Sequence, residues 1–307
     1  METSRPTSPR QTQSYLMSRF EEAGIRPQTR RGQNFLIDLN LLDLLVRTAD
    51  VGPQDVVLEV GTGLGALTTR LAQEAAAVVS VEIDARLQQL ASEELAKAGA
   101  TNVTLLSTDA LQNKSTMHPA VLAAVREHLA RHPGSRFKLA ANLPYNVATP
   151  ILANLLTADP LPVSLTATIQ KELADRMIAA PGTKDYSALS IWMQALCEIA
   201  IVRVMPPQVF WPRPKVQSAI VHIVPSAAKR ARLSDVEFFH TLIRDVFCHR
   251  RKLLRGVLAG CFREQLGRPA IDALLAAEGI APEARAEELP VETLIALAEN
   301  LRGRLRS

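Results

Sequence analysis

Short apolar runs alternate with segments of helical periodicity along most of this chain. Apolar runs of about four to eight residues, rich in β-branched side chains and bounded by turns, are typical of buried parallel strands. Their alternation with amphipathic segments predicts an α/β fold built on a mostly parallel sheet. The predicted strands cover residues 56–60, 78–81, 103–106, 137–141, 165–169, 200–204 and 218–224.

Apolar residues spaced three and four apart predict helices between several of these strands. Asp38 is predicted to cap one helix, because its carboxylate can accept a hydrogen bond from the backbone at the helix start. Helical periodicity resumes at Ser234 and predicts a small C-terminal helical domain. The other predicted helices cover 14–23 and 86–97 and begin near residue 66, whereas 112–135 is assigned only a connecting role.

The strand at 56–60 runs directly into a glycine-rich turn, Gly61-Thr62-Gly63-Leu64-Gly65. Glycine allows a ligand to approach the backbone closely, and free N–H groups at the following helix start favour an anionic group. The turn therefore predicts a nucleotide-type cofactor loop. Its Gly-x-Gly-x-Gly spacing differs from the Gly-x-Gly-x-x-Gly of dinucleotide sites, which disfavours a nicotinamide-dependent dehydrogenase.

Carboxylates follow the next two predicted strands. Ligands of open α/β sheets bind outside the carboxyl ends of the strands. Glu82 ends the second strand about 20 residues beyond the glycine turn, the spacing at which a carboxylate meets ribose hydroxyls. Asp109 follows the third strand and has two open interpretations, a ligand contact or a cap of the next helix.

The fourth strand ends in Asn142-Leu143-Pro144-Tyr145. The exocyclic amine of adenine is a poor nucleophile, and hydrogen-bond acceptance by the Asn142 amide oxygen and the Leu143 carbonyl favours a pyramidal nitrogen. Pro144 stiffens the turn, and Tyr145 offers a face on which a base can stack. The alternative interpretation is a strand-end turn with a buried tyrosine.

Composition limits the classes of protein. The 307 residues carry a formal net charge of +4, which permits a polyanionic partner without requiring one. No apolar run reaches the roughly 18 residues of a membrane span. Cys197, Cys248 and Cys261 form neither a paired framework nor a zinc motif, which favours a reducing cytoplasm without metal. His128 and His132 are predicted to lie on a solvated helix face.

Basic residues mark two candidate RNA contacts. Arg30 and Arg31 precede the Gln33–Leu36 segment, after a polar tail that is predicted to be disordered. A second run in the helical domain is either a solvated helix face or a nucleic-acid contact. This run comprises Arg250, Arg251, Lys252 and Arg255.

The ordered motifs of residues 30–258 resemble those of ribosomal RNA adenine N6-dimethyltransferases, most closely the bacterial small-subunit enzymes. The resemblance implies a class I S-adenosylmethionine-dependent methyltransferase fold, with a Rossmann-like seven-stranded sheet whose last strand is antiparallel. It also implies dimethylation of two adjacent adenines near the 3′ end of 16S rRNA. The motifs are Gln33–Leu36, Leu58–Gly65, Asn142–Tyr145, Gln170–Arg176, Pro181–Tyr186, Phe210–Ser218 and Phe247–Lys252.

The resemblance also implies roles for individual residues. The proposed catalytic group is Asn142, Leu143, Pro144, Tyr145 and Phe210, with Phe210 stacking on the target base opposite Tyr145. The cofactor would contact Asn34, Leu36, Gly61, Gly63 and Asn142, while Glu82 holds its ribose and Asp109 its adenine amine. The RNA would contact Arg30, Arg31, Lys215, Arg250, Arg251 and Lys252.

This assignment implies three parts: an N-terminal extension at 1–29, disordered or with a short helix; a methyltransferase domain at 30–228; and a helical RNA-binding domain at 229–307. We expect a cytoplasmic monomer that acts on an immature small ribosomal subunit, without a membrane or a metal. Two alternatives share the core fold: a large-subunit rRNA methylase of the antibiotic-resistance type and a non-catalytic mitochondrial transcription factor. Leucine at position 143, where the resistance enzymes usually carry isoleucine, and the intact cofactor residues disfavour them.

Overall fold

The computed structural model describes residues 12–28 and 32–306. A seven-stranded sheet with the order β4-β3-β2-β7-β8-β11-β9 is its main element, and the pairs β1-β10 and β5-β6 form two small sheets. The strands are β1 (Phe35–Leu36), β2 (Asp55–Val60), β3 (Ala77–Glu82), β4 (Val103–Ser107), β5 (Leu111–Asn113), β6 (Thr116–Met117), β7 (Arg136–Asn142), β8 (Ser164–Gln170), β9 (Cys197–Met205), β10 (Phe210–Trp211) and β11 (Ser218–Pro225).

The helices agree with the periodicity of the sequence where a prediction was made. Asp38 accepts hydrogen bonds from the backbone N–H groups of Asn40 and Leu41, which confirms the predicted cap. The helices are α1 (Gln13–Glu22), α2 (Leu39–Ala49), α3 (Ala66–Glu74), α4 (Ala85–Lys97), α5 (Pro119–Arg131), α6 (Ala148–Leu155), α7 (Lys171–Met177), α8 (Ala188–Leu196), α9 (Ala227–Arg230), α10 (Val236–Phe247), α11 (Leu254–Cys261), α12 (Arg268–Ala277) and α13 (Val291–Arg306).

The centre of the sheet is parallel and buried. Every residue of β2 and of β3 is buried, as expected for strands that helices cover on both faces. β2 pairs in parallel with β3 on one side and with β7 on the other. The chain order therefore reverses between β2 and β7, and the carboxyl ends of these two strands border the crevice where such folds bind ligands.

The last strand in sequence runs antiparallel to its neighbour. β11 pairs antiparallel with β8, with Ser218 opposite Gln170. This orientation confirms the antiparallel strand that the resemblance implied. It also places the start of β11 beside the carboxyl end of β8, close to the edge at which β7 ends.

Helix α1 packs on the sheet domain. Thr12 caps the helix, Leu16 is 1% exposed and Phe20 is 2% exposed. The helix predicted for 14–23 is therefore confirmed, and it is part of a hydrophobic cluster with Leu64 and Leu87. The predicted disordered tail lies outside the described residues, except for its last two positions.

The chain divides into two compact units. The first extends to Ala174 and resumes over Ala200–Val224, and the second comprises Asp175–Ile199 and the chain from Pro225. The units differ from the predicted domains, because 175–199 groups with the C-terminal helices. Within the second unit, the hydroxyl of the buried Tyr186 donates to the Leu289 carbonyl at 2.8 Å.

The 112–135 segment contains structure that periodicity did not reveal. It includes part of the β5-β6 pair and the whole of α5. His128 on α5 is 9% exposed, and its Nε2 lies 2.8 Å from Thr104 Oγ1. The predicted solvated face is thus wrong for His128, whose ring packs against the sheet.

Candidate active site

The glycine turn after β2 is in close contact with two other segments. Gly61 and Gly63 have φ values of 92° and 57°, a region that side chains with a Cβ rarely adopt. A Cβ at Gly61 would lie 3.3 Å from Pro144 Cδ, and one at Gly63 would lie 3.0 Å from Phe35 Cε1. Glycine is required at both positions by the backbone conformation and by these neighbours.

The backbone donors of this turn are already used. Gly61 and Thr62 donate to the Val81 carbonyl, at 2.8 and 3.4 Å, and Gly65 donates to the Thr62 carbonyl at 2.9 Å. Gly63 donates to Glu82 Oε2 at 3.1 Å. The expectation of free N–H groups that favour an anion is therefore wrong for these four positions, and the turn does not present the donors that a pyrophosphate needs.

A cavity of about 180 Å³ opens beside the turn. Its walls combine apolar side chains with Glu82 and Asp109, which meets the expectation that the two strand-end carboxylates share one crevice. Asp109 Oδ1 accepts a hydrogen bond from the Leu111 N–H at 2.9 Å. Leu111 begins strand β5, so the helix-cap interpretation of Asp109 is wrong. The cavity is lined by Val60, Gly61, Val81, Glu82, Ile83, Thr108, Asp109, Ala110, Pro144, Asn146 and Val147.

Glu82 is held rigidly at the end of β3. Its side chain is buried, with Oε2 bound to the Gly63 N–H and Oε1 to the Asp84 N–H at 3.0 Å. Burial raises the pKa of this carboxyl above its usual value, while the two N–H donors act in the opposite direction. Glu82 thus ties the glycine turn to the neighbouring strand and also borders the cavity.

Asn142 at the end of β7 has its two amide atoms in different environments. Nδ2 donates to the Asn34 carbonyl at 2.9 Å. Oδ1 is buried and has no hydrogen-bond partner within residues 12–28 and 32–306. A buried acceptor without a partner is costly, and its presence at a cavity indicates a ligand donor.

Two smaller cavities bring the remaining cofactor candidates to Asn142. One of about 60 Å³ is lined by Asn34, Gly63, Glu82 and Asn142 among others. The second, of about 40 Å³, is lined by Leu36 together with Gly61, Gly63 and Asn142. The structure therefore brings together all the predicted cofactor residues, from three separate strands and the segment before β1.

The other residues of the predicted catalytic group have unequal access. The Tyr145 hydroxyl bonds to Ser218 Oγ at 2.5 Å, and the Leu143 N–H donates to the Thr168 carbonyl at 3.2 Å. Burial raises the pKa of Tyr145. Phe210 is 2% exposed and packs in the core with Leu36, so its ring is not open to a base in this structure.

Glu59 is a site residue to which the sequence analysis assigned no role. It lies in β2, 1% exposed, and its Oε2 accepts hydrogen bonds from Thr68 Oγ1 and Ser80 Oγ, both at 2.6 Å. Burial raises the pKa of this carboxyl to about 8. The signal in the sequence was a single acid within an apolar strand, directly before the glycine turn.

The predicted RNA-binding residues separate into three groups. Arg30 and Arg31 lie outside the described residues. Lys215, Arg251 and Lys252 are exposed. The Arg250 guanidinium instead donates to the Lys184 and Tyr186 carbonyls and lies 3.4 Å from Glu287 Oε2.

Two further searches were negative over the described part of the chain. Residues 12–28 and 32–306 contain no group of three acidic, histidine or cysteine side chains arranged to hold a metal ion. Within the same residues, no helix combines the length and hydrophobicity of a membrane span.

Sequence comparison finds the same relatives over nearly the whole chain. The family described as ribosomal RNA adenine dimethylase matches residues 25–302. The ribosomal RNA small subunit methyltransferase A of Moorella thermoacetica is 38% identical over 94% of this chain and 98% of its own length. The protein of the same name from Alkaliphilus oremlandii is 40% identical over 89% of this chain and 91% of its own length.

Solved structures show the same architecture. A dimethyladenosine transferase from Plasmodium falciparum superposes with a TM-score of 0.71 at 23% identity, over 87% of this chain and 97% of its own. The 23S rRNA methyltransferase ErmE superposes with a TM-score of 0.60 at 27% identity, over 87% of this chain and 99% of its own. The mixed seven-stranded sheet with its helices is therefore a class I methyltransferase fold.

Proposed function

The chain belongs to the ribosomal RNA adenine dimethylase family, and from that premise we propose which RNA it modifies and which residues do so. We infer that it transfers methyl groups to N6 of two adjacent adenines near the 3′ end of 16S rRNA, within an immature small ribosomal subunit in the cytoplasm. The relatives named small subunit methyltransferase A support the choice of subunit. We propose that it acts as a monomer.

The site fits S-adenosylmethionine. When bound, this cofactor supplies an electrophilic methyl group on a positively charged sulfur. Glu82 would hold its ribose, Asp109 its adenine amine, and Gly61 would lie beside its methionine portion. The fit rests on the cavity at these carboxylates, on the glycine turn whose donors are not available to a pyrophosphate, and on the unpaired Asn142 oxygen.

The unpaired oxygen of Asn142 is the observation that carries the proposal. An adenine amine has two N–H donors and a lone pair that is delocalised into the ring. Acceptance by Asn142 Oδ1 and by the Leu143 carbonyl would favour a pyramidal nitrogen, with the lone pair directed away from both acceptors. Because Nδ2 is bound to the Asn34 carbonyl, the amide oxygen is held in place before the substrate arrives.

The same contacts explain why the reaction needs no strong general base. The N–H bond becomes acidic when the nitrogen is alkylated, so a fixed acceptor and correct positioning supply most of the rate. A second methyl transfer requires one N–H contact to remain while the first methyl group is accommodated. The target adenine must also leave its stack, at a cost of a few kcal/mol.

Stacking on the target base is proposed for Tyr145 and Phe210. Tyr145 is positioned by its hydroxyl contact to Ser218. Phe210 can stack only if its ring leaves the core position beside Leu36, because it is 2% exposed there. On the RNA side, the exposed Lys215, Arg251 and Lys252 are the proposed phosphate contacts.

A matched pair of asparagine variants tests the role of Asn142. We expect Asn142→Ala to lower turnover about 100-fold, a typical loss for one positioned group, while the Kd for S-adenosylmethionine rises by less than about tenfold. Asn154→Ala on α6, which removes only a 3.4 Å contact to the Lys114 carbonyl, should retain turnover. Turnover of Asn142→Ala equal to that of the native protein would exclude the assigned role.

The alternative function within this fold is methylation of large-subunit RNA, and the likeness to ErmE makes it specific. Both activities transfer a methyl group to adenine, so the choice of RNA separates them. Incubation with each isolated ribosomal subunit, followed by analysis of the modified nucleosides, distinguishes the two. A non-catalytic binding role would leave both RNAs unmodified.

A further inference from the structure

Three aromatic rings meet beside the glycine turn, and we call them the aromatic triad: Phe20 of α1, Phe35 of β1 and Trp211 of β10. The Phe20 ring makes edge contacts with both partners, at centroid distances of 5.3 Å to Phe35 and 5.2 Å to Trp211. Phe35 and Trp211 are 6.3 Å apart and tilted by 31°. Edge-to-face pairs at these distances are attractive and orient the rings, so Phe20 fixes the other two relative to each other.

Phe35 forms part of the cofactor side of the site. Its Cε1 and Cδ1 atoms lie 3.0 and 3.1 Å from the position that a Cβ of Gly63 would occupy. The same ring lines both of the smaller cavities that reach Asn142. A shift of Phe35 would therefore change the space directly above the glycine turn.

The short β1 strand transmits the same constraint to the acceptor side. Phe35 pairs with Trp211 and Leu36 pairs with Phe210 in the two-residue β1-β10 ladder. Asn34, the residue before this strand, provides the carbonyl that binds Asn142 Nδ2. Because a two-residue ladder is weak by itself, the contacts of its side chains must hold it in register.

Helix α1 holds Phe20 firmly. Phe20 is 2% exposed, and its cluster includes Leu16 of the same helix and Leu87 and Leu90 of α4. Arg19, the preceding residue, pairs with Glu93 of α4 at 2.7 Å. The N-terminal helix is thus anchored on α4 and presents Phe20 to the triad.

We propose that Phe20 is a positioning residue for cofactor binding: through the aromatic triad it fixes Phe35 over the glycine turn and the Asn34 carbonyl beneath Asn142. The N-terminal helix then contributes to the active site without touching the substrate. This inference rests on the proposed S-adenosylmethionine site. Its physical content is that loss of the Phe20 ring frees Phe35 and lowers the affinity of the site.

The test compares Phe20→Ala with Leu16→Ala, a variant of the same helix at an equally buried position outside the triad. Calorimetric titration with S-adenosylmethionine, well below the unfolding midpoint of each variant, measures the Kd. We expect the Kd to rise about tenfold for Phe20→Ala and to stay within about twofold of native for Leu16→Ala. Phe20→Leu, which retains apolar volume but no ring, should fall between native and alanine.

A spectroscopic readout reports the triad itself. The chain has two tryptophans, so Trp192→Phe leaves Trp211 as the sole emitter. In that background, we expect titration with S-adenosylmethionine to change Trp211 emission, and Phe20→Ala to shift the emission of the free protein and diminish this change. Leu16→Ala should leave both as in the parent.

Three results would overturn the inference. They are a native Kd for Phe20→Ala, an equal rise for Leu16→Ala, and Trp211 emission that does not respond to loss of the Phe20 ring. Failure of the native protein itself to bind S-adenosylmethionine would instead overturn the proposed function on which the inference rests. The native titration therefore separates the two failures.

Discussion

Glu59 is a carboxyl group that burial keeps protonated at neutral pH. Its pKa is raised to about 8, chiefly by desolvation, and Glu82 nearby raises it further. Thr68 and Ser80 surround its Oε2, and the Thr62 and Ser80 hydroxyls lie 2.6 Å apart. At the residue scale, this neutral acid connects β2, β3 and α3 directly beneath the glycine turn.

The raised pKa of Glu59 predicts a pH dependence of stability. The unfolded chain ionises this group near its ordinary pKa of 4.5, whereas the folded protein retains the proton up to about pH 8. The stabilisation is therefore complete below pH 4.5 and is lost as pH rises towards 8. We expect Glu59→Gln, which cannot ionise, to gain a few kcal/mol of unfolding free energy relative to native between pH 5 and pH 8.

Denaturant unfolding of both proteins across this range makes the comparison. The control is Glu74→Gln, at an exposed position of α3, whose difference from native should not vary in this way. A Glu59→Gln variant whose difference from native is the same at both pH values would show that Glu59 is already ionised in the folded protein.

Individual residues differ in how far the sequence could predict them. Glu82 and Asp109 were predictable because the carboxyl ends of parallel strands meet at one edge of a sheet. Glu59 was not, since its significance depends on hydroxyls that other elements supply. The core position of Phe210 also depends on its pairing opposite Leu36, which the sequence does not express.

At the scale of elements, the 181–186 loop is held by the second unit through backbone contacts. The Gly182 N–H donates to the Glu287 carbonyl at 2.7 Å, and the Tyr186 hydroxyl donates to the Leu289 carbonyl. Arg250 donates to two carbonyls of the same loop. One arginine of the basic run therefore has a structural role, whereas the adjacent Arg251 is exposed.

This difference predicts opposite phenotypes for neighbouring arginines. Arg250→Gln should lower the unfolding free energy by about 1–3 kcal/mol, because carbonyls that bind a charged donor lose their partner. Arg251→Gln should leave stability within about 0.5 kcal/mol of native, weaken binding to small-subunit RNA and reduce the dependence of log Kd on log salt by about one.

Thermal unfolding and RNA titrations at several salt concentrations measure the two effects. If Arg251→Gln binds RNA with native affinity and an unchanged salt slope, Arg251 is not a phosphate contact. If Arg250→Gln is as stable as native, the loop contacts do not contribute to stability.

Elements of the central sheet were more predictable than those of the periphery. Buried parallel strands leave continuous apolar runs, and a glycine turn marks the end of β2. The ladders β1-β10 and β5-β6 are two or three residues long, so no periodicity can reveal them. The donors of the glycine turn illustrate the same limit, because their occupation by Val81 and Glu82 depends on the neighbouring strand.

At the scale of the whole molecule, the chain leaves the sheet unit near Ala174 and returns near Ala200. The sequence analysis placed this segment in the methyltransferase domain, because a contiguous domain is the simplest division of a chain. Contacts within the second unit show another arrangement: Ser190 Oγ donates to the Arg176 carbonyl at 2.5 Å, and Gln194 Nε2 to the Met177 carbonyl at 3.0 Å. Such a return crossing depends on tertiary contacts that the sequence does not express.

The central claim is that this site dimethylates adenine in small-subunit RNA. Its most direct test is nucleoside mass spectrometry on undermethylated small ribosomal subunits after incubation with the purified protein and S-adenosylmethionine. We predict that N6,N6-dimethyladenosine appears in the 16S rRNA of these particles and is absent when Asn142→Ala replaces the native protein for the same time. Dimethyladenosine only in large-subunit RNA, or no methyl transfer to either RNA despite cofactor binding, would contradict the account.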